Sequence, residues 1–533
     1  MMSKALLFAA FVLGASASSD EEAAILSKLE KLEQDVMELS MQNTQLRGEL
    51  DQSRGRSLSS TAWEAKVTSD IAANAQAITD AQTDLGGALD HLWLLICGAL
   101  VMFMQAGFAM LEAGSCRVKN VQNILMKNMV DVCVGTICWY SFGWTIAYGF
   151  DPDDSDAVFA GKLQYFGHEF LEADDKGNQT PTNLMRDWFF QWAFCSAAAT
   201  IVSGGVAERV QFPGYLIYTI AMTTVIYPVI VAWTWSGKGW LAPGDSKHIN
   251  DVGFNDFAGS GIVHMTGGVG ALVGAIIVGP RKGRFDGVEN FDPHSTPLVV
   301  LGTFILWFGW YGFNCGSTLG MASTSTGQLA AQVAMNTTIS AATGGIVVLC
   351  LRLAILKKYD VGGMCNGILA GLVSITAGCG NMDSGCALAT GLIGGVVYQG
   401  SSMLLKKVKV DDPLDAFPVH GACGAWGVLA AALFDWGKGM DYYNGFGGGL
   451  GCTTDADGNC MSGAAAKGIA ANVVEVLVIL LWVGGLSVIV FLPLKVGNML
   501  RLDDSVQDAG SDRKKHSPNK AYNDSKEVKE SQI

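Results

Sequence analysis

The stretch Asp256–Arg281, DFAGSGIVHMTGGVGALVGAIIVGPR, most constrains what this chain can fold into. It is long enough to cross a bilayer as a helix, which takes about 20 apolar residues. It opens on a carboxylate and ends at a basic cluster, Arg281, Lys282 and Arg284, and between its two ends the only ionisable side chain is His264. A titratable group in hydrocarbon is expensive and marks an ion or substrate path. A second such histidine, His420, follows Asp415 in DAFPVHGACGAWG and is again followed by small residues. Either histidine alone reads equally well as a packing residue. Two of them in glycine-rich spans read as a functional pair.

The rest of the chain agrees with a membrane setting. Of its 533 residues 50 % are hydrophobic and 16 % charged, the composition of a polytopic membrane protein. The 66 glycines suit helices that must approach closely. The net charge of −14 excludes a nucleic-acid footprint. Thirteen cysteines are scattered, without a CxxC pair or a Cys/His cluster, so neither a zinc site nor another cofactor is expected. Apolar runs predict eleven transmembrane helices, over 92–115, 121–149, 188–206, 213–236, 259–279, 297–316, 327–356, 362–378, 385–405, 418–434 and 470–497. Basic residues follow the odd-numbered spans (Arg117, Arg209, Arg281, Arg352, Lys406, Lys495), and the loop after the second span is acidic. The positive-inside rule then puts the N-terminus outside and the C-terminus inside. Asp256, His264 and Gly268 in the fifth span echo Asp415, His420 and Gly424 in the tenth. That echo predicts two inverted five-helix repeats plus a final helix, with both histidines at the repeat interface.

The ends carry separate expectations. Residues 1–17 have one lysine, a short apolar core and a small-residue run, which reads as a signal peptide; an uncleaved extra helix is the rival. Residues 18–88 form an extracellular segment. Within it, 25–50 place Ile25, Leu32, Leu39 and Leu46, and Leu29, Val36, Asn43 and Leu50, seven apart. A short coiled coil and a solvated amphipathic helix fit that pattern equally. From Asp51 to Asp90 a linker and a weak helix both remain open. Asn178 opens an N-glycosylation sequon in the acidic loop. Cys452 and Cys460, and less strongly Cys379 and Cys386, are candidate outer disulfides, with free thiols the alternative.

These residues resemble a known family. DFAGSGIVHMTGGVGALVGAIIVGPR, LEAGSCRVKN (111–120), GGVAERVQF (204–212), WYGFNCGS (310–317), GMCNGILAGLVSITAGC (363–379) and DAFPVHGACG (415–424) follow, in order, the pattern of the ammonium transporter (Amt/Mep) family. The resemblance covers 89–497 and implies eleven helices per protomer, a pore through each, and a homotrimer. It makes His264 and His420 the twin pore histidines and Phe194 and Phe313 the stacked aromatic gate. Phe190, Phe194, Trp235 and Ser317 match the ammonium recruitment site, and Asp256 the structural and electrostatic acid beside it. Taken singly, the phenylalanines read as core, Trp235 as an interfacial anchor and Asp256 as a helix cap. The tail, 498–533, reads as cytoplasmic. Its Gly510, Asp512, His516, Ala521 and Tyr522 resemble the family's regulatory tail motif, with Lys514 where many plant relatives carry a phosphorylatable threonine. Ser511, Ser517 and Ser525 are other candidate phosphorylation sites.

The expected substrate is ammonium or ammonia, with methylammonium as an analogue, and the expected surroundings are membrane lipid. The plasma membrane is the expected address, with another endomembrane open. A Rhesus-type ammonia or carbon dioxide channel is the alternative of the same architecture. An ammonium sensor signalling through tail or coil is the alternative of another class. An enzyme is excluded by the lack of a nucleophile–base pair, phosphate loop or metal cluster.

Overall fold

The computed structural model describes residues 31, 34, 37–39, 41–49, 61–151, 153, 159–173, 179–242, 249, 253–287, 290–434 and 464–522. The expected signal peptide, the sequon at Asn178 and the Cys452/Cys460 pair lie outside the described residues. Of the candidate coil, residues 31, 34, 37–39 and 41–49 are described, and all are helical. The described residues form two compact units, one ending at His91 and including Met321–Ser323, the other comprising Leu92–Gly320 and Thr324 onward.

Eleven apolar helices dominate: α1 (Thr61–Ser115), α2 (Val118–Tyr148), α3 (Asn183–Val206), α4 (Phe212–Thr234), α5 (Ser260–Val278), α6 (Thr296–Gly316), α7 (Thr324–Leu356), α8 (Val361–Thr376), α9 (Ser384–Lys407), α10 (Phe417–Leu433) and α11 (Ala464–Val496). Nine of them are long and apolar enough to cross a membrane, whereas α8 and α10 are shorter. Each predicted span falls on one of these helices. The main difference is at α1, which starts at Thr61. Residues 61–90 are helix, one of the two readings open for them. They lack an apolar period, but their alanines and glutamines are good helix formers. A second difference is a small antiparallel hairpin in the acidic loop, β1 (Leu171–Ala173) and β2 (Gln179–Pro181), pairing Glu172 with Thr180.

Local chemistry sets the helix ends. Pro213, Pro297 and Pro418 sit in the first turns of α4, α6 and α10, where a missing N–H costs nothing. Asp360 and Asp383 cap α8 and α9 by accepting from Gly363 and Cys386. Cys379 and Cys386 are free thiols, so that pair forms no disulfide.

One ionic knot joins the end of α5 to the loop before α10. Arg281 donates from Nε, Nη2 and its backbone N–H to the Asp411 carboxylate at 2.8–2.9 Å. Glu208, from the α3–α4 loop, accepts from Arg117 at 2.6 Å and pairs with Arg281 at 3.5 Å. Burial alone would push the Asp411 carboxyl up, but the bidentate Arg281 overrides it and holds the group well below the usual carboxylate range. The loop that leads into α10 is thereby fixed to the end of α5.

A docked tail completes the fold. It carries α12 (Asp504–Ala509) and α13 (Ser511–Lys515). Asp512 accepts from the backbone N–H of Gln122 and Asn123 at 2.9 and 3.0 Å, and the Ser511 N–H donates to Asn120. The first turn of α2 is thus capped by a residue almost four hundred positions away.

Candidate functional site

The site is built from the first turns of α5 and α10, both of which begin as π-helix, Ser260–Met265 and Phe417–Ala422. A helix N-terminus leaves four N–H groups without partners. The Asp256 carboxylate satisfies all four: Oδ1 accepts from Gly259 and Ser260 at 2.8 and 2.9 Å, Oδ2 from Gly261 and Ile262 at 2.8 and 3.0 Å. Gly259 makes this wrap possible with φ +103°, a conformation that costs glycine nothing. In the second half the equivalent acid is Asp412, which accepts from Ala416 and Phe417 at 2.9 and 2.8 Å. His264 follows Asp256 by eight residues and His420 follows Asp412 by eight. The expected partner of Asp256 from the sequence echo, Asp415, does not hold this turn. Asp415 accepts from the Tyr398 and Ser402 hydroxyls, a different task. Burial, with the nearby Asp415 charge, pushes the loop carboxyl of Asp412 up to about 6.

The two half-helices touch backbone to backbone. A Cβ on Gly268 would lie 2.2 Å from the Gly421 nitrogen, and one on Gly424 2.5 Å from the Ser260 carbonyl oxygen. This contact sets the imidazoles side by side, His264 Nδ1 to His420 Nδ1 at 3.3 Å. One ring donates and the other accepts, so the pair holds a proton between two like groups. His264 is fully buried, stacked on Trp310 and Phe313 at 4.9 and 5.2 Å, and its Nε2 has no hydrogen-bond partner among the described residues.

Aromatic rings continue from there. Phe313 stacks on Phe194 at 4.1 Å, Phe194 meets Phe190 at 4.8 Å, and Trp235 stands edge-on to Phe194 at 6.0 Å. Beyond these rings lies a cavity of about 580 Å³ lined in part by Phe190, Phe194, Trp235, Asp256 and Ser317. The Trp235 indole donates to the Asp256 carbonyl at 3.0 Å, and Ser317 Oγ donates to the Phe313 carbonyl at 3.0 Å. Ser317 thus keeps its oxygen lone pairs for an incoming donor. On the opposite side His420 borders a small cavity of about 20 Å³ with Phe108, Glu112 and Asn366. All the residues singled out for recruitment, gate and relay therefore form one contact series. Among the described residues no group of three His, Cys, Asp or Glu side chains is arranged to hold a metal ion.

Several buried ionisable groups were missed in the sequence. Glu112 accepts from Ser203 and Asn128, and Asp131 accepts from Tyr215 and Thr219. Lys127 donates to the Val210 carbonyl, and Glu475 is fully buried on α11. The signal was available for Glu475, the only ionisable residue between Lys467 and Lys495.

The sequence model of the Ammonium Transporter Family matches residues 92–522. The chain belongs to the ammonium transporter family. Among its relatives, ammonium transporter 1 member 3 of Solanum lycopersicum is 36 % identical over 468 residues, 86 % of this chain and 94 % of that one. Ammonium transporter 1 member 1 of Arabidopsis thaliana is 39 % identical over 419 residues, covering 76 % and 80 %. Solved structures agree. A sensor Amt protein superposes with TM-score 0.68 at 32 % identity, covering 80 % of this chain and 98 % of its own. Saccharomyces cerevisiae Mep2 does so with TM-score 0.65 at 26 % identity, covering 78 % and 88 %. This chain is therefore a multi-pass ammonium transporter and not an enzyme, and its buried histidine pair is consistent with a twin-histidine pore.

Proposed function

We infer that the 580 Å³ cavity recruits ammonium and that the cation loses a proton before crossing the aromatic rings. The observation that carries this reading is the unbroken series from cavity through Phe194, Phe313 and His264 to His420. Trp235 and Phe190 offer ring faces to a cation, and Ser317 Oγ accepts one of its N–H bonds. Ammonium and potassium are similar in size, so size alone cannot separate them. Past the gate an intact cation is disfavoured by apolar walls. When an ammonium N–H breaks, its electron pair stays on nitrogen, ammonia moves on, and the proton passes to the imidazole pair. Potassium has no proton to release and stays at the mouth. Asp256 acts through its negative charge and through the turn that presents His264.

The finer topology follows the same reading. Eight residues from acid to histidine and four from histidine to glycine recur in both halves (256, 264, 268 and 412, 420, 424), which supports two inverted five-helix repeats with α11 added. Loop charges support an outer N-terminus and an inner tail. A homotrimer at the plasma membrane, entered through a signal peptide and carrying glycan at Asn178 and a Cys452–Cys460 disulfide, completes the proposal.

Uptake of labelled methylammonium into proteoliposomes tests it. Saturable uptake that excess potassium does not reduce, and that falls in His264→Ala, is the expected result. Uptake that potassium suppresses would overturn the deprotonation step. The likeness to a sensor Amt protein favours a second reading, a receptor. Ammonium binding without uptake would select it.

A further inference from the structure

Helix α11 is largely exposed, yet it carries one buried acid. Only 22 % of its most apolar window is buried, but Glu475 has no exposed surface. Its neighbour one turn earlier, Asn472, holds the backbone of Asn255 on both sides. Asn472 Oδ1 accepts from the Asn255 N–H at 2.8 Å, and its amide donates to the Asn255 carbonyl at 3.0 Å. Residues three apart share a helix face, so Glu475 faces the adjacent Asp256. The two carboxyl groups converge on Gly261, where a Cβ would lie 2.7 Å from Glu475 Oε1 and 3.2 Å from Asp256 Oδ2. Neither oxygen of Glu475 receives an N–H or O–H from the described residues. Asp256, by contrast, is fully engaged with four backbone N–H groups.

Both carboxyls are buried, and ionising two adjoining buried carboxylates is strongly disfavoured. Asp256 is the one whose negative charge is stabilised, by four donors. Glu475 is the one with nothing to stabilise a charge. We propose that Glu475 is a neutral positioning residue that donates its proton in a hydrogen bond to ionised Asp256, tying α11 to the turn that carries Trp235's acceptor and His264. One negative charge is thereby kept beside the ammonium cavity. A side chain at 261 would meet Glu475 Oε1 and Val428 Cγ2, each at 2.7 Å from the added Cβ, so the close approach of Glu475 uses the missing Cβ of this glycine. The proposal extends the reading of Asp256 and Trp235 as part of the recruitment site and rests on it.

The test compares native transporter, Glu475→Gln and Glu475→Leu as full-length chains in proteoliposomes. Glutamine keeps a neutral donor toward Asp256 and leucine removes it. Glu475→Leu is expected to raise the methylammonium KM at least about tenfold, the scale of a lost hydrogen bond to a charged acceptor, and to lower the maximal rate much less. Glu475→Gln is expected to restore KM to within about threefold of native. Infrared difference spectroscopy of native minus Glu475→Gln should contain the C=O stretch of a protonated carboxylic acid. A carboxylate band there instead, a glutamine variant as impaired as the leucine one, or a leucine variant with native KM would each overturn the proposal. The infrared band is independent of transport, so it survives if only the recruitment reading fails. If Glu475→Leu does not reach the membrane, Glu475→Gln and the infrared band still decide.

Discussion

At the residue scale the account turns on how few side chains hold the two histidines in register. Asp256 alone satisfies four N–H groups, so its charge and its geometry are inseparable. Asp256→Asn would turn an amide NH₂ toward backbone donors, leaving about two of them unpaired at roughly 1–3 kcal/mol each. Methylammonium uptake, normalised to protein in the membrane, is expected to fall by at least about tenfold. Uptake near the native rate would mean the turn is held by something else. Gly268→Ala tests the crossing itself, because the added Cβ would meet the Gly421 nitrogen at 2.2 Å. Overpacking of this kind costs about 1–3 kcal/mol or more and would part the imidazoles. A lowered thermal midpoint and lost uptake are expected together. This scale is also where the sequence was least legible. The lone histidines stand out because nothing else in their spans ionises. Asp412 and Asp415 lie three residues apart, and only the backbone hydrogen bonds tell which of them caps α10.

At the element scale the tail is the part most open to change. It caps α2 through Asp512, and His516 reinforces the contact by pairing with the Asn123 amide at 2.9 Å. Loss of a capping carboxylate costs about 0.5–2 kcal/mol, so Asp512→Ala is expected to free the tail while leaving the membrane helices folded. Trypsin cleavage after Arg513 to Lys515 would report this. Burial holds His516 below its ordinary pKa; Asp512 pulls the other way and Lys127 adds to the lowering. A histidine with a lowered folded pKa contributes stability above its ordinary range and loses it as pH falls through the folded value. Acidification should therefore speed cleavage of the native tail, and His516→Gln should remove that dependence. Helices as elements were legible because eleven apolar runs dictate them. The 61–90 helix was legible only as one of two readings, since its propensity is unaccompanied by an apolar stripe. The capping of α2 was not legible, because no local pattern encodes it.

At the scale of the whole molecule, the end of α5, the α3–α4 loop and the loop before α10 are locked together by the knot of Arg281, Glu208 and Asp411. Removing one partner of a buried pair costs about 3–5 kcal/mol, so Asp411→Asn is expected to lower the thermal midpoint markedly. Because the Asp411 carboxyl is held well below the usual range, its contribution is present at neutral pH and is lost only in strongly acidic buffer. The asparagine variant should lack that acid-dependent loss. The central claim is that a cation is recruited, stripped of a proton and passed along two histidines. Voltage-clamp recording of cells expressing the chain, with methylammonium uptake followed in the same cells, tests it most directly. The account predicts saturable ammonium-dependent transport that potassium neither carries nor blocks, and whose charge movement changes in His264→Ala and His420→Ala. Potassium current through the native protein, or histidine variants with native currents and uptake, would contradict it.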